Sequence, residues 1–118
     1  MIWLLMLACG KEAVPTFTQV DSEIFVPSCG FSSCHGSGTG GLTLDGGDDY
    51  AALVDVESAG SPGAVLVVPG DADNSYLVWK LEGSDGIVED PMPPPTGGFD
   101  ATKIEQVRAW IDAGALND

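Results

Sequence analysis

Basic side chains are scarce in this sequence. Its 118 residues include four Lys and Arg against 18 Asp and Glu, so the formal net charge is −14. The phosphates of a nucleic acid repel such a surface, and the composition therefore argues strongly against a nucleic-acid-binding protein. Acidity of this degree fits a secreted or surface protein, where it serves solubility or steers a basic partner.

The apolar start of the chain has no Lys or Arg before it. Residues 1–8 are apolar but far too few to cross a bilayer, which needs about 20 residues. The stretch resembles the apolar part of a secretory signal. Residues 5–10 resemble a bacterial lipoprotein cleavage box, in which Cys9 becomes the lipidated first residue. The alternative is an uncleaved segment or the signal of a soluble exported protein.

Histidine and cysteine are rare, and most of them stand together. His35 is the only histidine, and it directly follows Cys34, which lies five positions after Cys29. Two such thiols can add to the vinyl groups of a haem, and the adjacent imidazole can then bind the iron. The usual spacing leaves two residues between the cysteines, whereas four stand here. A disulfide between Cys29 and Cys34, or metal ligation without haem, are the alternatives.

The odd cysteine count is explained if both assignments hold. Cys9 then carries lipid, Cys29 and Cys34 carry haem, and no thiol is left over. Both modifications require an extracytoplasmic compartment. We therefore expect the protein in the periplasm or at the outer membrane, with membrane attachment through the lipid on Cys9.

Length, glycine and proline content predict one small, loop-rich domain. A chain of 118 residues with 16 glycines and eight prolines has room for a modest core only, which a buried macrocycle would enlarge. The expected division is a signal segment over residues 1–8, a tether over 9–15 and a domain over 16–118.

Met92 stands between prolines in the sequence Pro91-Met92-Pro93-Pro94-Pro95. Each proline fixes its own φ and restricts the residue before it, so this methionine has little backbone freedom. A thioether that completes the coordination of a haem iron would benefit from such rigidity. A surface proline-rich turn or partner-binding segment is the alternative. Since His35 is the only histidine, coordination by two histidines of this chain is excluded.

Patterning predicts a first and a last helix that pack together. Thr16 and Gln19 have the spacing of a capping box, and Pro27 is expected to end the first helix just before the cysteines. The last helix is predicted over residues 100–113, with a capping box of Thr102 and Glu105. We expect it to cross the first helix and to bury Trp110 near Phe25 or Ile24.

Two shorter helices are predicted between these. One begins at residue 49 and runs to 54. The other begins at a cap formed by Asn74 and Ser75 and stops at Gly83. Trp79 and Lys80 are expected on or near the outer face of this second helix. Residues 45–49 are expected to form a solvated turn instead of a calcium loop, because the long EF-hand spacing and its final Glu are missing. Leu42 and Leu44 are placed to cover a haem.

The order of these features resembles a known family. The chain resembles a small cytochrome c domain in the order of its segments. These are an initial helix, Cys29 to Gly36, the glycine-rich run, the Gly-Leu-Thr-Leu and Val-Val-Pro-Gly-Asp segments, Met-Pro-Pro and a terminal Trp-Ile-Asp-Ala-Gly-Ala. Such domains are common in planctomycete and myxobacterial exported proteins. The resemblance covers residues 17–116. It implies an all-α, class I cytochrome c fold with one haem c on Cys29 and Cys34, His35 as proximal ligand and Met92 as distal ligand.

This resemblance implies an electron-transfer protein and not an enzyme. The sequence offers no Ser/His/Asp set and no distal acid or base suited to substrate chemistry. The acidic surface favours a basic redox partner, or an orientation set by an uncharged patch at the haem edge. Two other functions are a haem-based sensor or gas-binding protein, in which Met92 leaves the iron, and a non-haem surface binding module with a Cys29–Cys34 disulfide.

Overall fold

The computed structural model describes residues 14–30, 35–36, 38, 41–84, 86–87, 92 and 99–118. The architecture is all-α. Within these ranges no β-strand forms, and the only strand-like pairings are two isolated bridges, Val54 with Val67 and Glu57 with Val65. No helix in this part of the chain is both long enough and apolar enough to cross a membrane. The elements in chain order are α1 (Phe17–Val20), a π-helical segment (Asp21–Phe25), α2 (Val26–Cys29), α3 (Asp49–Leu53), a 3-10 turn (Ala72–Asn74), α4 (Tyr76–Glu82) and α5 (Ala101–Asp112).

The first helix begins at the predicted capping box. The Thr16 hydroxyl accepts the Gln19 N–H at 3.1 Å, and the Gln19 side-chain oxygen accepts the Thr16 N–H at 2.9 Å. These two bonds satisfy backbone donors that the first turn of a helix leaves without partners. The apolar positions of this stretch then enter the core: Phe17, Val20, Ile24 and Phe25 are buried.

Pro27 does not end this helix, so that prediction is wrong. The residues before it form a π-helical segment, in which the Val26 N–H donates to the Asp21 carbonyl. Helical structure then resumes as α2, with Pro27 in its first turn. A proline is tolerated at that position, because its missing N–H is one that the first turn leaves without a helical partner. The helical stretch therefore continues as far as Cys29.

The N-cap of the last helix lies two residues before the predicted capping box. Asp100 is the N-cap, and its carboxylate accepts the N–H groups of Thr102 at 2.8 Å and Lys103 at 3.4 Å. The box of Thr102 and Glu105 is therefore wrong, because Thr102 already lies inside the first turn. Val107, Trp110 and Ile111 form the buried stripe of α5.

Trp110 packs the last helix against the first helical stretch, as predicted. Its ring centroid lies 6.4 Å from that of Phe25 and 5.3 Å from that of Phe17. Tyr50 of α3 completes the aromatic cluster, with a centroid 6.4 Å from Trp110. The indole N–H donates to the Leu116 carbonyl at 2.9 Å, so the one polar atom of this buried ring has a partner.

The helix α4 stops where expected but is capped differently. Gly83 has a φ of 69°, the left-handed conformation that glycine adopts readily at a helix end. Ser75 stands at the N-cap, yet its hydroxyl accepts the Val68 N–H and donates to the Asp71 carbonyl, both at 2.9 Å. The side chain thus ties α4 to the preceding segment and leaves the helix start without a side-chain cap.

Two carboxyl groups meet where the π-helical segment and α3 approach each other. Asp49 is only 1% exposed and accepts the Gly46 N–H, so the predicted solvated turn is wrong at this residue. The Oδ1 atom of Asp21 is buried and meets no hydrogen-bond donor among the described residues. Burial, then the hydrogen bond to Asp49, then repulsion from Asp49 and Asp45 raise the pKa of Asp21 to about 7. Asp21 therefore keeps its proton to a higher pH than an ordinary aspartic acid does.

Candidate functional site

One cavity of about 500 Å³ brings together three residues that the sequence singled out. Cys29, His35 and Met92 all line it. Its volume lies within the range of about 300–1,000 Å³ that is typical of small-molecule and cofactor sites. Most of the wall is apolar and comes from several elements, with Leu42, Leu44, Val56, Leu66, Leu77 and Leu81 as its main aliphatic members.

The backbone fixes the position of His35 relative to Cys29. Cys29 is the last residue of α2, and its carbonyl accepts the His35 N–H at 3.0 Å. The His35 carbonyl in turn accepts the Leu44 N–H at 2.7 Å. These bonds hold His35 close to Cys29 and attach it to Leu44, which also lines the cavity.

The imidazole of His35 is oriented by a second contact. Its Nδ1 lies 3.0 Å from the Leu42 carbonyl oxygen. A carbonyl can only accept, so in the neutral ring the proton is on Nδ1 and the lone pair is on Nε2. Metal-binding histidines commonly use such a contact to fix both the tautomer and the plane of the ring. The lone pair of Nε2 is therefore not used by this contact.

Met92 is held by the end of α4. Its N–H donates to the Lys80 carbonyl at 2.8 Å, and its half-buried side chain lines the cavity. Lys80 lies in the last turn of α4, where carbonyl groups lack helical donors. The hydrogen bond satisfies one of these carbonyls and places the methionine at the same cavity as His35.

Gly30 permits the close approach of the cysteine loop to the cavity wall. A Cβ atom at this position would overlap the carbonyl oxygen of Leu44 and would lie 2.8 Å from that of Val26. Both neighbours are backbone atoms, which cannot turn away. The residue after Cys29 must therefore be glycine for α2 and the Leu42–Leu44 segment to pack as they do.

Two polar residues of α4 line the cavity but were not assigned to it from the sequence. Tyr76 and Lys80 line it from α4, although Lys80 was expected on or near the outer face of that helix. Their spacing of four residues places both on one face of a helix, and that is the signal that could have revealed them. Trp79 instead donates its indole N–H to the Asp73 carbonyl at 2.7 Å.

Several predicted site residues lie outside the described residues. Cys34, the second expected thioether residue, is one of them, and Cys9 is another. The same holds for the signal segment 1–8 and for the prolines on both sides of Met92. Lipidation, haem attachment at both cysteines and the disulfide alternative therefore stay predictions.

The donor set of the cavity fits a haem. An imidazole with a defined Nε2, a thioether and a thiol are the groups that bind haem iron and one vinyl group in c-type cytochromes. The apolar wall suits the faces of a macrocycle. Within the described ranges, no group of three or more His, Cys, Asp or Glu residues could hold a metal ion. Comparisons of the chain with protein-family models, curated proteins and solved structures found no match.

Proposed function

We propose that this protein carries one covalent haem c and transfers electrons, with the class I cytochrome c fold that its sequence resembles. Cys29 and Cys34 form the thioether bonds, His35 binds the iron through Nε2, and Met92 supplies the sixth ligand. A bound haem would supply one-electron redox chemistry, and the protein would contribute ligands, burial and orientation.

The observation that carries this proposal is the convergence on one cavity. Met92 is far from Cys29 and His35 in the sequence, yet all three line the same apolar space. A proline-rich surface turn gives no reason for Met92 to line the same cavity as His35. A ligand role does, because a haem bound in this cavity would take both of its protein ligands, His35 and Met92, from the cavity wall.

The surroundings favour electron transfer over substrate chemistry. Iron held by both a histidine and a methionine leaves no open coordination position, and methionine ligation raises the reduction potential. Apolar walls exclude water, which also favours the reduced, less charged form of the haem. The net charge of −14 supports a partner with a basic docking surface.

We further propose that the protein acts outside the cytoplasm and is held to a membrane by lipid on Cys9. The support is the lipoprotein-like sequence at residues 5–10 and the compartment that covalent haem attachment requires. Labelling with a radioactive fatty acid tests this part separately, and a Cys9→Ser variant should lose the label but keep its haem.

Co-expression with cytochrome c maturation factors tests the haem assignment. We expect haem staining of the denatured wild-type protein at its own mass, and no stable haem protein from His35→Ala. Colourless protein from a competent host would contradict the proposal and favour the disulfide-containing module. A high-spin or CO-reactive ferrous form without denaturation would instead favour the sensor or gas-binding function.

A further inference from the structure

The buried carboxyl pair of Asp21 and Asp49 has no part in the proposed haem site. Asp49 is 1% exposed, and Asp21 Oδ1 is buried without a hydrogen-bond donor among the described residues. Two carboxylates have no proton to donate, so the hydrogen bond between these side chains exists only while one of them is protonated. The pair therefore has two states: one with this bond, and one in which two negative charges repel each other at a poorly solvated position.

The carboxyl pair joins two segments of the chain. Asp21 begins the π-helical segment, and its carbonyl accepts the Val26 N–H. Asp49 begins α3, and its two carboxylate oxygens accept the Gly46 N–H at 3.2 and 3.0 Å. The Val26 side chain also lies close to Gly46, since a Cβ atom there would be 3.7 Å from Val26 Cγ2. The first helical stretch, residues 17–29, therefore meets the segment before α3 at this pair.

The segment before α3 also holds His35. The Leu44 N–H donates to the His35 carbonyl at 2.7 Å, and the Leu42 carbonyl oxygen lies 3.0 Å from His35 Nδ1. Leu44 is buried and lines the cavity. Two residues later, the Gly46 N–H is bound by the Asp49 carboxylate. Residues 42–46 therefore connect the carboxyl pair to the backbone and side-chain contacts of the histidine.

We propose that Asp21 and Asp49 form a pH-sensitive latch, which holds residues 42–46, and with them His35, against the first helical stretch. The latch is closed while the pair is protonated, and it loosens when both carboxyl groups are charged. The latch is a property of the chain itself. Its effect on a bound haem, through the position of His35, rests on the proposed function.

The charges around Asp21 set the pH range of the latch. Burial, then the hydrogen bond to Asp49, then repulsion from Asp49 and Asp45 raise the pKa of Asp21 to about 7. The nearby acids Glu23 and Asp48 are exposed, so water screens their charges. The latch is therefore closed in mildly acidic solution and loosens as the pH rises through the pKa of Asp21.

Amide hydrogen exchange of the purified protein at about pH 5 and about pH 8 tests the inference. Protection factors correct for the intrinsic effect of pH on exchange. In the wild type, protection of the Leu44 and Gly46 N–H groups should fall about ten- to a hundredfold between the two values, because ionised Asp21 favours the loosened state. At the higher pH, dilute urea should hardly change their exchange, since local opening exposes little surface. Exchange of the Ile111 N–H in α5 is the reference for global unfolding.

Two variants separate Asp21 from other titrating groups. Asp21→Asn should keep the protection of Leu44 and Gly46 at the higher pH, because the amide stays neutral and can donate to Asp49. Glu23→Gln is the matched control, since it removes a carboxyl group from an exposed position of the same segment, and it should behave as the wild type. Both variants keep the histidine, so its own ionisation affects all three proteins alike.

The wild-type series decides the inference even if a variant fails to fold. Unchanged protection at Leu44 and Gly46 overturns the latch, and so does a loss with the same urea dependence as that of Ile111, which indicates global unfolding alone. An equal loss in Asp21→Asn also overturns it. A wild-type protein without covalent haem overturns the proposed function, while the exchange data still decide whether the latch exists.

Discussion

The N–H of Met92 donates a hydrogen bond to the Lys80 carbonyl at 2.8 Å, so the proposed sixth ligand is anchored to the last turn of α4. This bond uses main-chain atoms only. Substitution of the Met92 side chain therefore leaves the anchor in place and changes only the donor that faces the cavity. The ligand role can be tested with little disturbance of the fold.

Met92→Ala should lower the reduction potential of the holoprotein and open the sixth coordination position. The reason is that methionine ligation stabilises ferrous haem, and its loss admits water or CO. Redox titration and the absorption band of methionine-ligated ferric haem provide the measurements. Glu105→Gln, on the exposed side of α5, should change neither. Retention of that band in Met92→Ala would remove Met92 from the ligand role.

Gly30→Ala should destabilise the protein by about 1–3 kcal/mol, the usual cost of forcing extra volume into a packed site. The added methyl group would overlap the Leu44 carbonyl, so α2 or the Leu42–Leu44 segment would have to move. Urea unfolding and the yield of haem-containing protein measure the effect.

Gly60→Ala is the matched control for this substitution. Gly60 also lines the cavity, but a Cβ atom there meets nothing within 4 Å. We expect unfolding close to that of the wild type. Equal costs for the two variants would show that the close approach at Gly30 is not the cause.

Stability should fall as the pH rises from about 4 to about 7, because of Asp21. Its pKa in the folded protein is about 7, above the ordinary value of 3.8, so the folded state holds a proton that the unfolded state releases. The contribution is complete below the lower value and is lost as the pH passes the higher one. Urea unfolding at a series of pH values measures the slope.

Asp21→Asn should remove most of this pH dependence and exceed the wild type in stability at about pH 8. The amide stays neutral beside Asp49, so no repulsion develops between them. Glu23→Gln provides a control at an exposed position of the same helical stretch. A wild-type slope in Asp21→Asn would show that other groups cause the pH dependence.

Trp110→Ala should cost about 3–5 kcal/mol of unfolding free energy, the range expected when a buried aromatic side chain is removed. The ring is 1% exposed and contacts aromatic residues from both α1 and α3. Its removal also leaves the Leu116 carbonyl without its donor. Trp79→Ala, at a half-buried position, should cost clearly less. Similar unfolding midpoints for the two variants would contradict the central place of Trp110.

Local signals in the sequence were enough to locate the helices and several of their ends. The box of Thr16 and Gln19, the stop at Gly83 and the buried positions Val107 and Ile111 all follow from contacts within one or two turns. The residues that make these contacts are close to one another in the sequence, so the local residue pattern is sufficient to predict them. The roles proposed for Cys29, His35 and Met92 also rest on short sequence motifs.

Only the tertiary structure decided which distant groups meet. It placed Met92 at the cavity of His35, turned Lys80 towards that cavity, and brought Asp21 against Asp49. It also carried the helix through Pro27, because a π-helical segment shifted the hydrogen-bond register before the proline. These outcomes depend on how helices pack against one another. Packing brings together residues that are far apart along the chain, and such contacts produce no local pattern in the sequence.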